Sequence, residues 1–224
     1  TTSPYGFAWT RPSSGGHSLT AIATDGVGLR STSAPISISV VGSVITTNTF
    51  ITMGATWKYL DNGTDQGTAW TATNFNDSAW SSGPAELGYS EGDEATVVSF
   101  GPSSTSKYIA TYFRHAFVVN NPTVIEFLYL RLKYDDGAVV YLNGTEIFRV
   151  NLPGGTINYL TPSPVTAENT FVQGSASPSL LMTGTNVLAV EMHQESGGSS
   201  DLTFAFELQG VFNNVLPTVF LTSP

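Results

Sequence analysis

Apolar and polar residues alternate at period two along most of this chain, and helical periodicity is almost absent. Residues 18–24 and 36–41 read as two strands, with Asp25, Gly26 and Gly28 supplying the turn between them. Gly42 and Ser43 read as a short joint. The clearest alternation runs from 127 to 134. Leu128, Leu130, Leu132 and Tyr134 share one face there, and Phe127, Tyr129, Arg131 and Lys133 share the other. Asp135-Asp136-Gly137 interrupts it. Residues 138–142 and 146–150 then flank Asn143-Gly144-Thr145, and Asn-Gly between apolar runs is the strongest short hairpin signal. Late strands are predicted at 186–193 and 202–209. In the last, Leu202, Phe204, Phe206 and Leu208 alternate with Thr203, Ala205, Glu207 and Gln209. Strand after strand without a helix predicts an all-β chain built as a β-sandwich or jelly roll.

Two stretches break the rhythm. Residues 153–179, rich in Pro, Gly, Ser and Thr, read as a long irregular loop. Residues 61–84 are similar, with Trp70, Phe75 and Trp80 expected to tuck them onto the body. Loops this long in a compact domain usually hold ligands or ions.

Composition narrows the chemistry. The chain has 224 residues, 41% hydrophobic, with 13 Phe, 9 Tyr and 4 Trp, so a sizeable core is within reach. Charged residues are 11%, well under the roughly 25% of an average domain. Solubility then falls to Thr, Ser, Asn and Gly, as in extracellular β proteins. The net charge of −9 repels phosphate backbones, so nucleic acid is not an expected partner. The same charge favours cations. The absence of cysteine excludes disulfides and thiolate metal sites. No apolar run reaches the roughly 20 residues of a membrane-spanning helix. Neither an initiator Met nor a signal peptide opens the sequence, which reads as starting mid-protein.

Residue type supplies the candidate sites. His17, His115 and His193 lie in separate segments, and neither His-Glu-x-x-His nor Gly-x-Ser-x-Gly occurs. Asp93-Glu94 and Asp135-Asp136 are adjacent carboxylates, whereas a glycosidase pair stands across a cleft. No enzyme is expected. For Ca²⁺, which takes six to eight oxygens, the candidates are loop acids: Asp61 and Asp65; Glu91, Asp93 and Glu94; Asp135 and Asp136; and Asp201. The same acids also read as turn formers and solvated surface. Carbohydrate needs aromatic platforms beside hydrogen-bonding groups, and Trp70, Trp80, Tyr89, Tyr129, Tyr141 and Tyr159 are present, although most sandwich aromatics are core. His193 and Gln194 end a strand beside the 197–201 loop. They read either as a ligand-facing rim with Asp201 or as groups that hold that loop. Arg114 reads as an internal ion-pair anchor.

Three resemblances add expectations. Ser3–Thr10, Leu19–Asp25 and Ser33-Ala34-Pro35 resemble the C-terminal half of a bacterial immunoglobulin-like domain, and Leu216–Pro224 looks like the first strand of a following one. The segments 57–63, 75–80, 87–89 with 92–94, 111–114, and His193-Gln194 with 199–202 resemble a galactose-binding-like jelly-roll module of secreted modular bacterial proteins. Tyr134–Gly144 is similar to part of the sugar-binding domains of the anthrax protective-antigen type. In yeast flocculins the Asp-Asp pair binds Ca²⁺ together with sugar, and the resemblance implies a Ca²⁺-ligand role for Asp135 and Asp136.

The expected organisation is therefore an all-β chain in three parts. Residues 1–42 form a partial immunoglobulin-like sandwich, 43–212 a jelly-roll β-sandwich, and 213–224 a linker with the first strand of a next domain. The expected function is a non-catalytic, secreted or cell-surface accessory module, Ca²⁺-stabilised and binding a polysaccharide or surface glycan. Tyr89, Tyr141, His193 and Gln194 are the carbohydrate candidates, and Asp135, Asp136, Asp93 and Asp201 the metal candidates. The alternative is a structural repeat of a bacterial fibre, adhesin or surface layer, whose copies pair strands through the chain ends.

Overall fold

A computed structural model describes residues 15–40 and 45–213. The expectations for 3–10 and 216–224 fall outside the described residues. Those described fall into two compact units, one holding 15–40 and the other spanning Thr47–Phe212.

The first unit is a long hairpin broken at mid-length. Strand β1 (Gly15–Leu19) pairs with β4 (Ile36–Val40), and β2 (Ile22–Thr24) pairs with β3 (Arg30–Thr32). The alternation shows two continuous strands; the structure has four short ones. Ser33 makes the break, because its Oγ accepts from Ala21 N–H at 2.9 Å and so draws a ladder group into a side-chain bond. At the tip, Asp25 Oδ1 accepts from Val27 N–H and Leu29 N–H, both at 2.9 Å.

The larger unit is a sandwich of two sheets. Its strands are β5 (Ile45–Ile51), β6 (Thr56–Leu60), β7 (Ser81–Pro84), β8 (Leu87–Tyr89), β9 (Thr96–Val97), β10 (Ala110–Val119), β11 (Ile125–Asp135), β12 (Gly137–Leu142), β13 (Thr145–Val150), β14 (Thr170–Ala176), β15 (Gly184–His193) and β16 (Leu202–Asn213). One sheet has the order β13-β12-β15-β10-β6-β7. The other has β14-β11-β16-β8-β9, with β5 on β16. Every pairing given in register is antiparallel except β8 with β9. The fold is all-β.

The inward rows are those the alternation shows. Leu128, Leu130, Leu132, Phe204, Phe206 and Leu208 are fully buried. They meet Phe113, Leu188, Val190 and Met192 from the facing sheet. Phe113 stacks on Phe204 at 4.1 Å between centroids, with Trp57 edge-on to Phe204 at 4.9 Å. Between β12 and β13 the two-residue turn Asn143-Gly144 has φ of 51° and 88°, the conformation an Asn-Gly hairpin uses. Gly88 is required for a different reason: a Cβ there would stand 2.0 Å from the Leu202 carbonyl oxygen of β16.

Two elements depart from the pattern of alternation. The stretch 153–179 is not all loop, because β14 crosses 170–176 as an edge strand beside β11. Its burial alternates, but Thr170, Val172, Gly174 and Ala176 face inward and Phe171 faces out, so the residue types do not display it. Strand β15 is buried on both faces, not one. Its outer face, with Ala189 and Glu191, is covered by residues 61–80 and 157–161. Trp70 and Trp80 pack there with Tyr112 and Ala189.

Candidate functional site

One end of the sandwich gathers several of the acids. Strand β11 ends there at Asp135, β12 begins at Gly137, β15 ends at His193 and β16 begins at Leu202. Each strand hands over to a loop on the same side, so residues distant in sequence converge. Carboxylate oxygens of Asp135, Glu168 and Asp201 lie within 4.8 Å of one another. Asp135 is fully buried and Asp201 is 4% exposed, while Glu168 is exposed. Glu91 joins from the 90–95 loop by a side-chain hydrogen bond to Asp201.

Asp135 is only half used by the protein. Its Oδ2 accepts from Asn169 N–H at 3.1 Å, and its Oδ1 is buried without a hydrogen-bond partner. Four more buried polar atoms in this region lack partners: Tyr89 Oη, Asn169 Oδ1, and Nε2 and Oε1 of Gln194. Unpaired buried polar atoms are rare in proteins, and a cluster of them calls for an explanation such as an ion. The neighbouring Asp136 is fully engaged. It accepts from Ala167 N–H (2.9 Å), Glu195 N–H (2.8 Å) and Ser199 Oγ–H (3.1 Å), so it holds the loops that carry the other acids.

Electrostatics reflect this crowding. Burial, then the charges of Asp201 and Asp136, push the Asp135 carboxyl up to about 7. The Glu91 carboxyl also rises to about 7, first through its hydrogen bond to Asp201. Burial and the same neighbours raise Glu168. A carboxyl raised in the folded state stabilises the fold when it holds its proton. That contribution is complete below the ordinary range near 3.8 and is lost as pH climbs through about 7. In chelator, the melting temperature is therefore expected to fall between pH 5 and pH 8, on the order of a few degrees. A scanning-fluorimetry series across that range checks it.

The structure brings Asp135 and Asp201 together and sets Asp136 behind them as a loop anchor. Asp93 is not in the group: its side chain is 64% exposed, 4.0 Å from Lys133 Nζ. Of the carbohydrate candidates, Tyr89 is 3% exposed and packs in the core, its hydroxyl toward the acids. Gln194 and His193 are fully buried. His193 Nδ1–H donates to the Thr161 carbonyl at 2.8 Å and so ties down the 157–161 loop. Tyr141 is half-buried, and its O–H donates to Glu191 Oε1 at 2.6 Å.

Tyr141 and Glu191 form the floor of a cleft of about 220 Å³ on the outer face of the first sheet. Tyr112 lies directly opposite Glu191 in the register of β10 and β15. Trp70 stands edge-on to both Tyr112 (4.9 Å) and Tyr141 (5.8 Å). Asp65 and Tyr159 line the mouth. Neither Glu168 nor Glu191 stands out in the sequence as a site residue. Glu168 had one signal, the length of its loop. Glu191 showed only as a face-mate of His193.

No family model and no curated protein matches the chain. Solved structures do. It is similar to a calcium-binding mutant of Bacteroides uniformis β-glucuronidase 2, with 17% identity and a TM-score of 0.47 over 75% of this chain and 18% of that one. A β-glycosidase from Bacteroides vulgatus gives 14% and 0.44 over 72% and 20%. A Ruminococcus gnavus β-glucuronidase gives 11% and 0.45 over 75% and 29%. The chain thus spans less than a third of the length of these enzymes, and its chemistry is read from its own side chains.

Proposed function

We propose that the larger unit is a non-catalytic accessory module of a secreted or cell-surface protein, locked at one end by a single Ca²⁺ and presenting a glycan-binding face. The observation that carries the ion is the convergence of Asp135, Glu168 and Asp201 within 4.8 Å around a buried Asp135 oxygen that no protein group satisfies. Ligands at roughly 2.3–2.6 Å from a Ca²⁺ stand up to about 5 Å apart across it, which matches that spacing. The donor set is all oxygen, which suits a hard cation. Asp135, Glu168 and Asp201 would hold the ion, with Glu91 and Asn169 within the same loops. The ion would neutralise the mutual repulsion that raises these carboxyls. Its role is structural: it fastens the 90–95, 163–169 and 195–201 loops to the strand ends.

The glycan partner is supported by the open cleft, where half-buried Tyr141 and Tyr159 stand beside carboxylate and amide groups. The galactose-binding-like resemblance agrees with it. The reading as a fibre or surface-layer repeat rests on residues 216–224 joining residues 1–41 of another copy, and 216–224 lie outside the described residues.

Calorimetric titration of the chelated protein with CaCl₂ tests the ion. One site is expected, with a dissociation constant on the order of 10⁻⁴–10⁻³ M, the range of extracellular modules. Asp201→Asn is expected to weaken it about tenfold or more. Heat that is absent, or unchanged in Asp201→Asn, removes the proposal.

A further inference from the structure

The cleft over Glu191 has a charge that the glycan reading does not use. It is lined by two carboxylates, Asp65 and Glu191, and by the half-buried rings of Tyr141 and Tyr159, with Trp70 and Tyr112 buried beneath them and no basic side chain in the lining. Glu191 is 6% exposed. One of its oxygens accepts from Tyr141, and the other lies 3.5 Å from His193 Nε2. His193 sits behind Glu191, fully buried, with its other nitrogen on the Thr161 carbonyl. Arg149 is held bidentately by Glu146 at 2.9 and 2.6 Å. Burial, followed by the charge of Glu191, raises the hydroxyls of both Tyr112 and Tyr141, so these rings stay neutral.

We propose that this cleft is a recognition site for an ammonium group carried on a small ring or alkyl body. Aromatic rings attract a cation through their negative faces, and a carboxylate at the base supplies the counter-charge. The Glu191 carboxylate offers a counter-charge that an ammonium group uses and a neutral hydroxyl does not. Asp65 is exposed at the mouth and is already shaped by its own loop, with Gly67 N–H donating to its Oδ1 at 2.8 Å. It adds attraction without having to reorganise. An anionic ligand is disfavoured by the same two charges. The volume suits one sugar-sized ring or one alkylammonium. An amino sugar with a free amine and a simple alkylammonium share this chemistry. The first extends the glycan reading and rests on it; the second does not.

Calorimetry on the Ca²⁺-loaded chain with four probes separates these cases: glucosamine, N-acetylglucosamine, glucose and choline. Glucosamine and choline are expected to bind, with glucose and N-acetylglucosamine at least about tenfold weaker. Glu191→Gln, which keeps an acceptor for Tyr141, is expected to weaken both cations about tenfold. Asp65→Asn, which keeps the Oδ1 that caps its loop, is expected to weaken them about threefold. A circular dichroism melt accompanies each variant. Should Glu191→Gln fail to fold, Asp65→Asn and Tyr159→Leu provide the same reading. Glucosamine binding without choline supports an amino sugar, and choline binding with equal or tighter affinity supports an alkylammonium. Equal affinity for glucose and glucosamine overturns the ammonium proposal while leaving the glycan reading intact. Binding of none of the four overturns both. Cation binding unaltered in the cleft variants overturns the location.

Discussion

Chelated protein brought to about 10 mM Ca²⁺ at pH 8 is expected to melt roughly 3–10 °C higher than in EDTA, the upper end applying at the tighter dissociation constant. A ligand at about a hundred times its dissociation constant adds about 2.7 kcal/mol to the folded state. For a chain of this size each kcal/mol moves the midpoint by about 2–4 °C. The gain arises where carboxylate oxygens of Asp135, Glu168 and Asp201 lie within 4.8 Å of one another, a spacing that a bound cation would bridge. Asp135→Asn should produce a crossing pattern. Removing one of the crowded charges relieves repulsion, so the variant melts above the native protein in EDTA at pH 8. It also loses a ligand, so added Ca²⁺ no longer helps it. A purely structural role for Asp135 would lower both curves together. Paired thermal scans with and without Ca²⁺ distinguish the two, and a native protein indifferent to both EDTA and Ca²⁺ would end the Ca²⁺ reading.

Arg114→Leu is expected to destabilise the larger unit by roughly 2–4 kcal/mol and to expose residues 61–80 to protease. Arg114 is 2% exposed on β10. Its Nε donates to Asp77 Oδ2 at 2.8 Å, its Nη2 to the Ala72 carbonyl at 3.2 Å, and its Nη1 to the Trp70 carbonyl. The guanidinium also sits over Phe75, 5.2 Å from the ring centroid. One side chain thus fastens three points of a segment that has little regular structure. Leucine fills similar space but leaves two carbonyls and a carboxylate without their donor. Asp77 is 30% exposed and can turn to water, which keeps the cost below that of a fully buried broken pair. Chemical denaturation reads the stability, and limited proteolysis reads the loosened segment. Because this segment forms one wall of the cleft, the same variant should lose choline binding. A midpoint unchanged within about 0.5 kcal/mol would show that the anchor carries no weight.

The sequence was most legible where burial is one-sided. The alternation in 127–134 and 202–209 exposes the inward rows directly, since a strand with one wet face must alternate. The Asn143-Gly144 turn was equally legible, because few residues tolerate positive φ. Arg114 was expected as an ion-pair anchor, and it pairs with Asp77. Strand β14 was not legible, because its alternating inward positions hold Thr170, Val172, Gly174 and Ala176 while the large Phe171 faces out. The double burial of β15 was hidden for the opposite reason: its cover comes from loops 61–80 and 157–161, which carry no period.

The candidate site divides in the same way. Asp135 and Asp201 could be named in advance because acids flanking strands in a chain of net charge −9 suit cations. That Asp136 is consumed by three donors, that Asp93 stands apart beside Lys133, and that Glu168 arrives from 33 residues beyond Asp135 are facts of chain path. The sequence by itself determined the all-β class, the inward faces of its clearest strands, the Asn143-Gly144 turn and the acidic, cysteine-free chemistry, because these depend on neighbours one or two residues away. Only the tertiary structure decided which acids meet, which aromatics line a cleft and which polar atoms are left unpaired. Those depend on distances set where the strand ends and long loops close over the sandwich, and no local pattern of residues encodes them.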